Sequence, residues 1–222
     1  MVRVRYRFVA AAALVVGVAV TGLIASGLIG SSAMHWCVRD DDAFSFVVEV
    51  QGFTRTINTS GWIDTEAPYS FLNGSSFTVR ISHLPALESS YTSSSFATGV
   101  LEYVKSELDS PVMLVNGTEI PDPEYGLLNA LVSRSVLPVG GWAAIDSFYP
   151  DTPEFIYSCD TYMASTDSTR FSIGYRAFNI DAGHGWNATV NMETGVPIQA
   201  TVWACRYHGM EWFSYSILIT LA

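Results

Sequence analysis

Residues 186–202 read WNATVNMETGVPIQATV, and this stretch decides the fold. Two β-rich runs, Trp186 to Met192 and Pro197 to Tyr207, flank Glu193-Thr194-Gly195. A glycine there supplies the positive φ that a tight reversal needs. The pattern is an antiparallel hairpin, and it continues in both directions. Downstream, Glu211 to Leu221 ends in the apolar run Ile217-Leu218-Ile219, the composition of a central or buried strand. Upstream, Glu154 to Met163 and Arg170 to Ile180 read as two more strands around a polar turn. Val190, Ile198, Val202, Ile217 and Ile219 are the expected core positions of this meander.

Farther upstream, Ser75 to Leu84 alternates cleanly. Phe77, Val79 and Ile81 fall on one side and Thr78, Arg80 and Ser82 on the other, as in a half-buried strand. Ala43 to Val50 and Phe53 to Ile57 read as a strand pair joined around Gln51-Gly52, and Val112 to Val115 as a short strand. Helical spacing occurs at 96–108 (Phe96, Val100, Tyr103, Val104, Leu108), with two short helices expected at Glu124 to Val132 and Gly141 to Phe148. The fold class is therefore α+β and mainly β: one curved, half-barrel-like antiparallel sheet with a short helical insertion, following an N-terminal transmembrane helix.

The phrase from Trp186 to Val202, a strand closed by an acidic-x-Gly-apolar-Pro turn, resembles lipoprotein-carrier-like β half-barrels of bacteria. Together with Val115-Asn-Gly-Thr-Glu-Ile120 and Leu137-Pro-Val-Gly-Gly-Trp142, it also resembles single-span archaeal exported surface proteins of unknown function. The resemblance implies a curved antiparallel sheet flanked by helices that can hold an apolar ligand. It brings no catalytic residue with it.

At the other end of the chain, residues 8–30 form 23 consecutive uncharged residues behind MVRVRYR. As a helix they would extend about 34 Å, enough for a hydrocarbon core of about 30 Å. Arg3, Arg5 and Arg7 precede the run and Asp40, Asp41 and Asp42 follow it, so the positive-inside rule keeps residues 1–7 in the cytoplasm. Residues 31–42 would then be a juxtamembrane segment and 43–222 an exported domain on the outside of a single-pass cell-membrane anchor. The run exceeds the usual signal-peptide core, although the small residues Ser31-Ser32-Ala33 leave a cleaved, secreted form open.

Beyond Met34 the chain holds 21 acidic and 8 basic residues, a balance of −13. This argues against nucleic acid, which demands a basic footprint. The expected partners are the membrane, through the N-terminal helix, and an apolar ligand or a surface protein. Four sequons, at Asn58, Asn73, Asn116 and Asn187, exceed the roughly one or two expected from seven Asn and 42 Ser plus Thr. They mark candidate glycosylation sites, although Asn73-Gly74 and Asn116-Gly117 are also turn dipeptides. Cys159 and Cys205 are the expected disulfide in an oxidising compartment, leaving Cys37 over.

Catalytic signatures are missing: no G-x-S-x-G, P-loop, G-x-G-x-x-G or H-E-x-x-H occurs. His184 lies in Asp181-Ala-Gly-His-Gly185, which reads as a Gly-rich turn where an aspartate could orient an imidazole. Cys205 and His208 have ligand-like spacing, and Asp146, Asp151, Glu154 and Asp160 cluster in sequence, but neither set matches a metal motif. No catalytic residue, metal ligand or cofactor is assigned. Trp142, Trp186, Trp203, Trp212, Phe213 and Tyr215 concentrate in the second half and can line a pocket or fill a core. The expectation is a non-enzymatic exported domain that binds or scaffolds at the cell surface. A carrier or sensor of an apolar ligand is the alternative, and an exported hydrolase the least supported.

Overall fold

The computed structural model describes residues 34–87, 113–116, 120, 122–143, 146 and 159–222. Its elements are β1 (Ala43–Asn58), β2 (Gly61–Thr65), β3 (Ser76–His83), β4 (Met113–Asn116), α1 (Glu124–Ser135), β5 (Cys159–Thr166), β6 (Arg170–Phe178), β7 (Ala182–Asn191), β8 (Pro197–Arg206) and β9 (Glu211–Leu221). The expected span at 8–30 and the expected helix at 96–108 lie outside the described residues, and the expected helix at 141–148 lies only partly within them. No helix among the described residues is long and apolar enough to cross a membrane.

All nine strands join one antiparallel sheet in the order β4-β3-β1-β9-β8-β7-β6-β5, with β2 paired to β1. The C-terminal half is a meander in which each strand pairs with the next. The seam between the two halves is the long pairing of β1 with β9, from Phe46↔Leu221 to Thr56↔Glu211. The molecule is thus mainly β, an open sheet with one helix among the described residues.

β1 corrects the expected break at Gln51-Gly52. It runs 16 residues without reversing. Gly52 sits at φ 137° opposite Tyr215, and a Cβ there would collide with the Ser214 carbonyl oxygen. The glycine serves a close approach of two backbones, not a turn. The reversal comes later, at Asn58-Thr59-Ser60-Gly61, where Asn58 Oδ1 accepts the Ser60 N–H at 2.8 Å. The other edge of β1 is filled in three pieces: β3 along Ala43–Val47, β2 along Thr54–Asn58, and the 3-10 turn Ser70–Leu72 with its flank between them. There Asn73 Oδ1 accepts the Val50 N–H at 2.9 Å and the Ser75 carbonyl accepts that of Val48 at 2.9 Å. The strand's main-chain donors are thereby satisfied where no strand faces them.

One face of the sheet carries the core. Phe46, Val48, Phe77, Val79, Ile81, Phe171, Ile173, Ala188, Val190, Ala200, Ile217 and Ile219 are all buried. The alternation read in Ser75 to Leu84 is therefore correct, and so are three of the five meander positions. Ile198 and Val202 are only half-buried. α1 covers this face by presenting Tyr125, Leu128, Leu131, Val132 and Ser135, at i, i+3 and i+4 spacing, toward β7 and β8. The helix expected at Glu124 to Val132 runs to Ser135, whose hydroxyl donates back to the carbonyls of Leu131 (2.7 Å) and Val132 (3.0 Å).

After α1 the chain docks on the Glu193-Thr194-Gly195 turn. Leu137 N–H donates to the Gly195 carbonyl at 2.9 Å, and Gly195 at φ 71° leaves no room for a Cβ against the Leu137 carbonyl oxygen. His35 pairs with Val139 and Trp36 Nε1 donates to the Pro85 carbonyl at 2.8 Å. Residues 34–42, expected as a juxtamembrane segment, are thus packed onto the domain, with Val38 buried.

The expected Cys159–Cys205 disulfide does not form. Cys159 pairs with Phe178, Phe178 with Gly183, and Gly183 with Cys205. Three strand spacings of about 4.8 Å put the two Cα atoms roughly 14 Å apart, whereas a disulfide needs roughly 4.4–6.8 Å. Cys205 is a free thiol, as is Cys37.

Candidate functional site

Two rows of residues cross the core face where β6 to β9 run side by side. The first is Tyr175–Trp186–Val202–Ile217 and the second Ala177–His184–Ala204–Tyr215. Large side chains surround one methyl. Ala204 lies between His184 and Tyr215 in its row, with Val202 two residues along its own strand. Neighbouring strands stand about 4.8 Å apart, and same-face residues on one strand about 6.7 Å. The space above Ala204 is therefore empty while its surroundings rise around it. The result is a cavity of about 290 Å³ bounded by Tyr175, Trp186, Tyr215, Val202 and Ala204, with Arg134 and His184 also on its lining.

Burial grades across the site. Trp186 is 6% exposed and forms the deep wall. Tyr175, Val202, Ala204 and Tyr215 are half-buried, while Arg134 and His184 are exposed at the rim. Tyr162 extends the aromatic surface, its ring centroid 5.1 Å from that of Tyr175, and His184 approaches Tyr175 at 6.2 Å. Arg134 is the basic residue in the last turn of α1, where a cation complements the helix dipole.

Tyr215 is held from behind. Tyr69 meets it edge-to-face at 5.1 Å, from a left-handed backbone (φ 66°) that a tyrosine adopts only under constraint. Burial, then the neighbouring Tyr69, push the Tyr215 hydroxyl above its ordinary pKa, so it stays protonated through the physiological range.

The opposite face explains the glycines. Trp203 covers Gly183 and Gly185; a Cβ on Gly185 would meet Trp203 Cζ2 at 2.8 Å, and one on Gly183 would meet Cζ3 at 3.1 Å. The Arg176 guanidinium lies 4.9 Å from the Phe178 ring centroid and 5.7 Å from that of Trp203. The segment read as a Gly-rich turn is therefore strand. β7 begins at Ala182 rather than Trp186, and its glycines give the indole a lane on the sheet.

This placement dismantles the acid–base reading of His184. Asp181 lies instead 3.7 Å from His208 and accepts the Tyr207 N–H through its carbonyl at 2.7 Å. The cavity lining contains no carboxylate, serine, threonine or cysteine among the described residues. No three His, Cys, Asp or Glu groups converge there or elsewhere among the described residues. Cys205 and His208 gain no third ligand, and the side chains of Asp151, Glu154 and Asp160 lie outside the described residues.

The aromatic residues singled out in the sequence divide among four places. Trp186 and Tyr215 border the cavity, with Phe213 stacked on Tyr215 at 6.2 Å, while the Trp203 indole covers the glycines of β7 on the opposite face. Trp142 is buried against Phe171 at 4.8 Å. Trp212 pairs with Trp62 at 4.8 Å near the β1–β2 turn. Sequence reasoning missed Tyr175, Ala204, Arg134 and Tyr69. The first three meet only through cross-strand register and helix packing, and Tyr69 carries no local signal at all. Of the sequons, Asn58, Asn73 and Asn187 are exposed, and the Asn116 side chain lies outside the described residues. Comparison with protein-family models, curated proteins and solved structures finds no match to this chain.

Proposed function

We propose that this chain is a non-enzymatic binding domain, exported and tethered by residues 8–30, that holds a small, largely apolar ligand on the helix-covered face of its sheet. The observation that supports the reading is the aromatic hollow over Ala204. Its volume of about 290 Å³ is near the lower limit of small-molecule sites. Ring faces, a methyl floor and the Arg134 guanidinium at the rim favour recognition over catalysis, because no nucleophile lies beside a base at the cavity among the described residues. A half-barrel curvature of the sheet would fit this use. The exposed sequons and the acidic balance beyond Met34 suit an extracytoplasmic surface. Scaffolding through a surface protein is the second reading, favoured by the exposed Trp62 and Tyr207 on either side of the half-buried Trp212.

The full chain in lipid nanodiscs, titrated with the neutral ligand 3-phenylpropan-1-ol, should show a saturable change in tryptophan fluorescence that Trp186→Phe largely removes. A response that is only linear, as for empty nanodiscs, would contradict a binding cavity and leave the scaffold.

A further inference from the structure

Arg134 is the feature of the cavity that an apolar ligand leaves unexplained. Its side chain borders the hollow, is exposed, and forms no ion pair among the described residues. The chain is acidic overall, with a net charge of −10. Elsewhere Arg55 is paired with Asp64 at 2.5 Å and Arg80 with Asp41 at 3.8 Å. At the cavity the lining supplies no acid among the described residues, and the His184 imidazole stands on the same rim. Below the rim the walls are aromatic and aliphatic. The site is amphipathic in a defined sense: a cationic rim over an apolar well.

We infer that the cavity selects a small amphiphilic carboxylate, its apolar body between Trp186 and Tyr215 and its carboxylate at Arg134. This rests on the binding role proposed above. Three properties point to that class. A guanidinium presents paired N–H donors in a fork that matches a carboxylate. Beside a partly desolvated well, a charge-assisted hydrogen bond is worth more than in open water. The volume of about 290 Å³ admits a ring with a short chain but not a two-chain lipid. A guanidinium placed only to complement the dipole of α1 would not distinguish one ligand from another, and that difference is measurable.

The test compares three ligands with one skeleton and different heads: 3-phenylpropionate, 3-phenylpropan-1-ol and 3-phenylpropan-1-amine. Each is titrated calorimetrically into the full chain in nanodiscs, with empty nanodiscs as the blank. The expected order is acid, then alcohol, then amine, with the acid at least tenfold tighter than the alcohol. Arg134→Gln should bring the acid to the affinity of the alcohol and leave the alcohol unchanged, which also reports that the variant is folded. If acid and alcohol bind alike, or Arg134→Gln weakens both equally, the carboxylate inference is overturned while the cavity stands. If none of the three binds the unaltered chain, the cavity reading falls and this inference with it.

Discussion

The indole of Trp203 occupies the space where a side chain of Gly185 would stand, Cζ2 lying 2.8 Å from the position of a Cβ. The same Cβ would also press on the Tyr175 carbonyl oxygen. Backbone cannot swing aside as a flexible side chain can, so Gly185→Ala should overpack this site. The expected cost is about 1–3 kcal/mol, read as a lowered denaturant midpoint. Gly126, on an open helix surface with nothing within 4 Å, is the control. Gly126→Ala should be neutral or stabilising, because it removes a poor helix former.

Ile219 tests the seam between the two halves. It is fully buried and stands between Val48 of β1 and Ala200 of β8. Ile219→Ala should cost about 2–5 kcal/mol through lost packing and a residual cavity. Glu193→Ala, in the exposed turn, should stay within about 0.5 kcal/mol. Equal denaturant midpoints for the two variants would make β9 peripheral.

Alkaline stability follows from two tyrosines. Burial, with a contribution from Tyr69, raises Tyr215; burial, with Asp122 nearby, raises Tyr125. For such groups the unfolded chain loses its proton first as pH rises, at a pKa of about 10. Their contribution is therefore intact below pH about 10 and lost as pH climbs through the raised folded values. Unfolding midpoints should fall above that pH, and Tyr215→Phe should flatten the fall. An unchanged alkaline slope in Tyr215→Phe would remove Tyr215 from the account.

The thiols give a covalent check on register. With Cys205 on β8 and Cys159 on β5, separated by β6 and β7, no direct bond can join them without taking the sheet apart. Alkylation of the unreduced, denatured protein should label Cys205, and peptide mapping should find no 159–205 link. Recovery of that link from folded protein would contradict the strand order.

Much of the sheet was legible because period-two alternation is written locally. Apolar patterning alone marks β9 with its observed bounds and β3 within one residue at each end. The failures occur where glycine has two uses. Gly52 looked like a turn and is a close approach; Gly183 and Gly185 looked like a flexible loop and make room for Trp203. No single-strand pattern distinguishes a glycine that bends the chain from one that yields space to a side chain on the next strand. The same limit hid the site. Trp186 and Tyr215 are visible as aromatics, but the hollow exists because Ala204 falls opposite His184 and Tyr215, and that is a fact of register.

Ala204 therefore offers the most direct measurement of the central claim. Its methyl floors the cavity, so Ala204→Leu should fill the space from within while leaving the strands paired. Native mass spectrometry of the full chain released from nanodiscs, unaltered and as Ala204→Leu, reads out a bound small molecule by mass. The account predicts a discrete small adduct on the unaltered chain and none on the folded variant. An unaltered chain that never carries an adduct, or a variant that carries the same one, would contradict it.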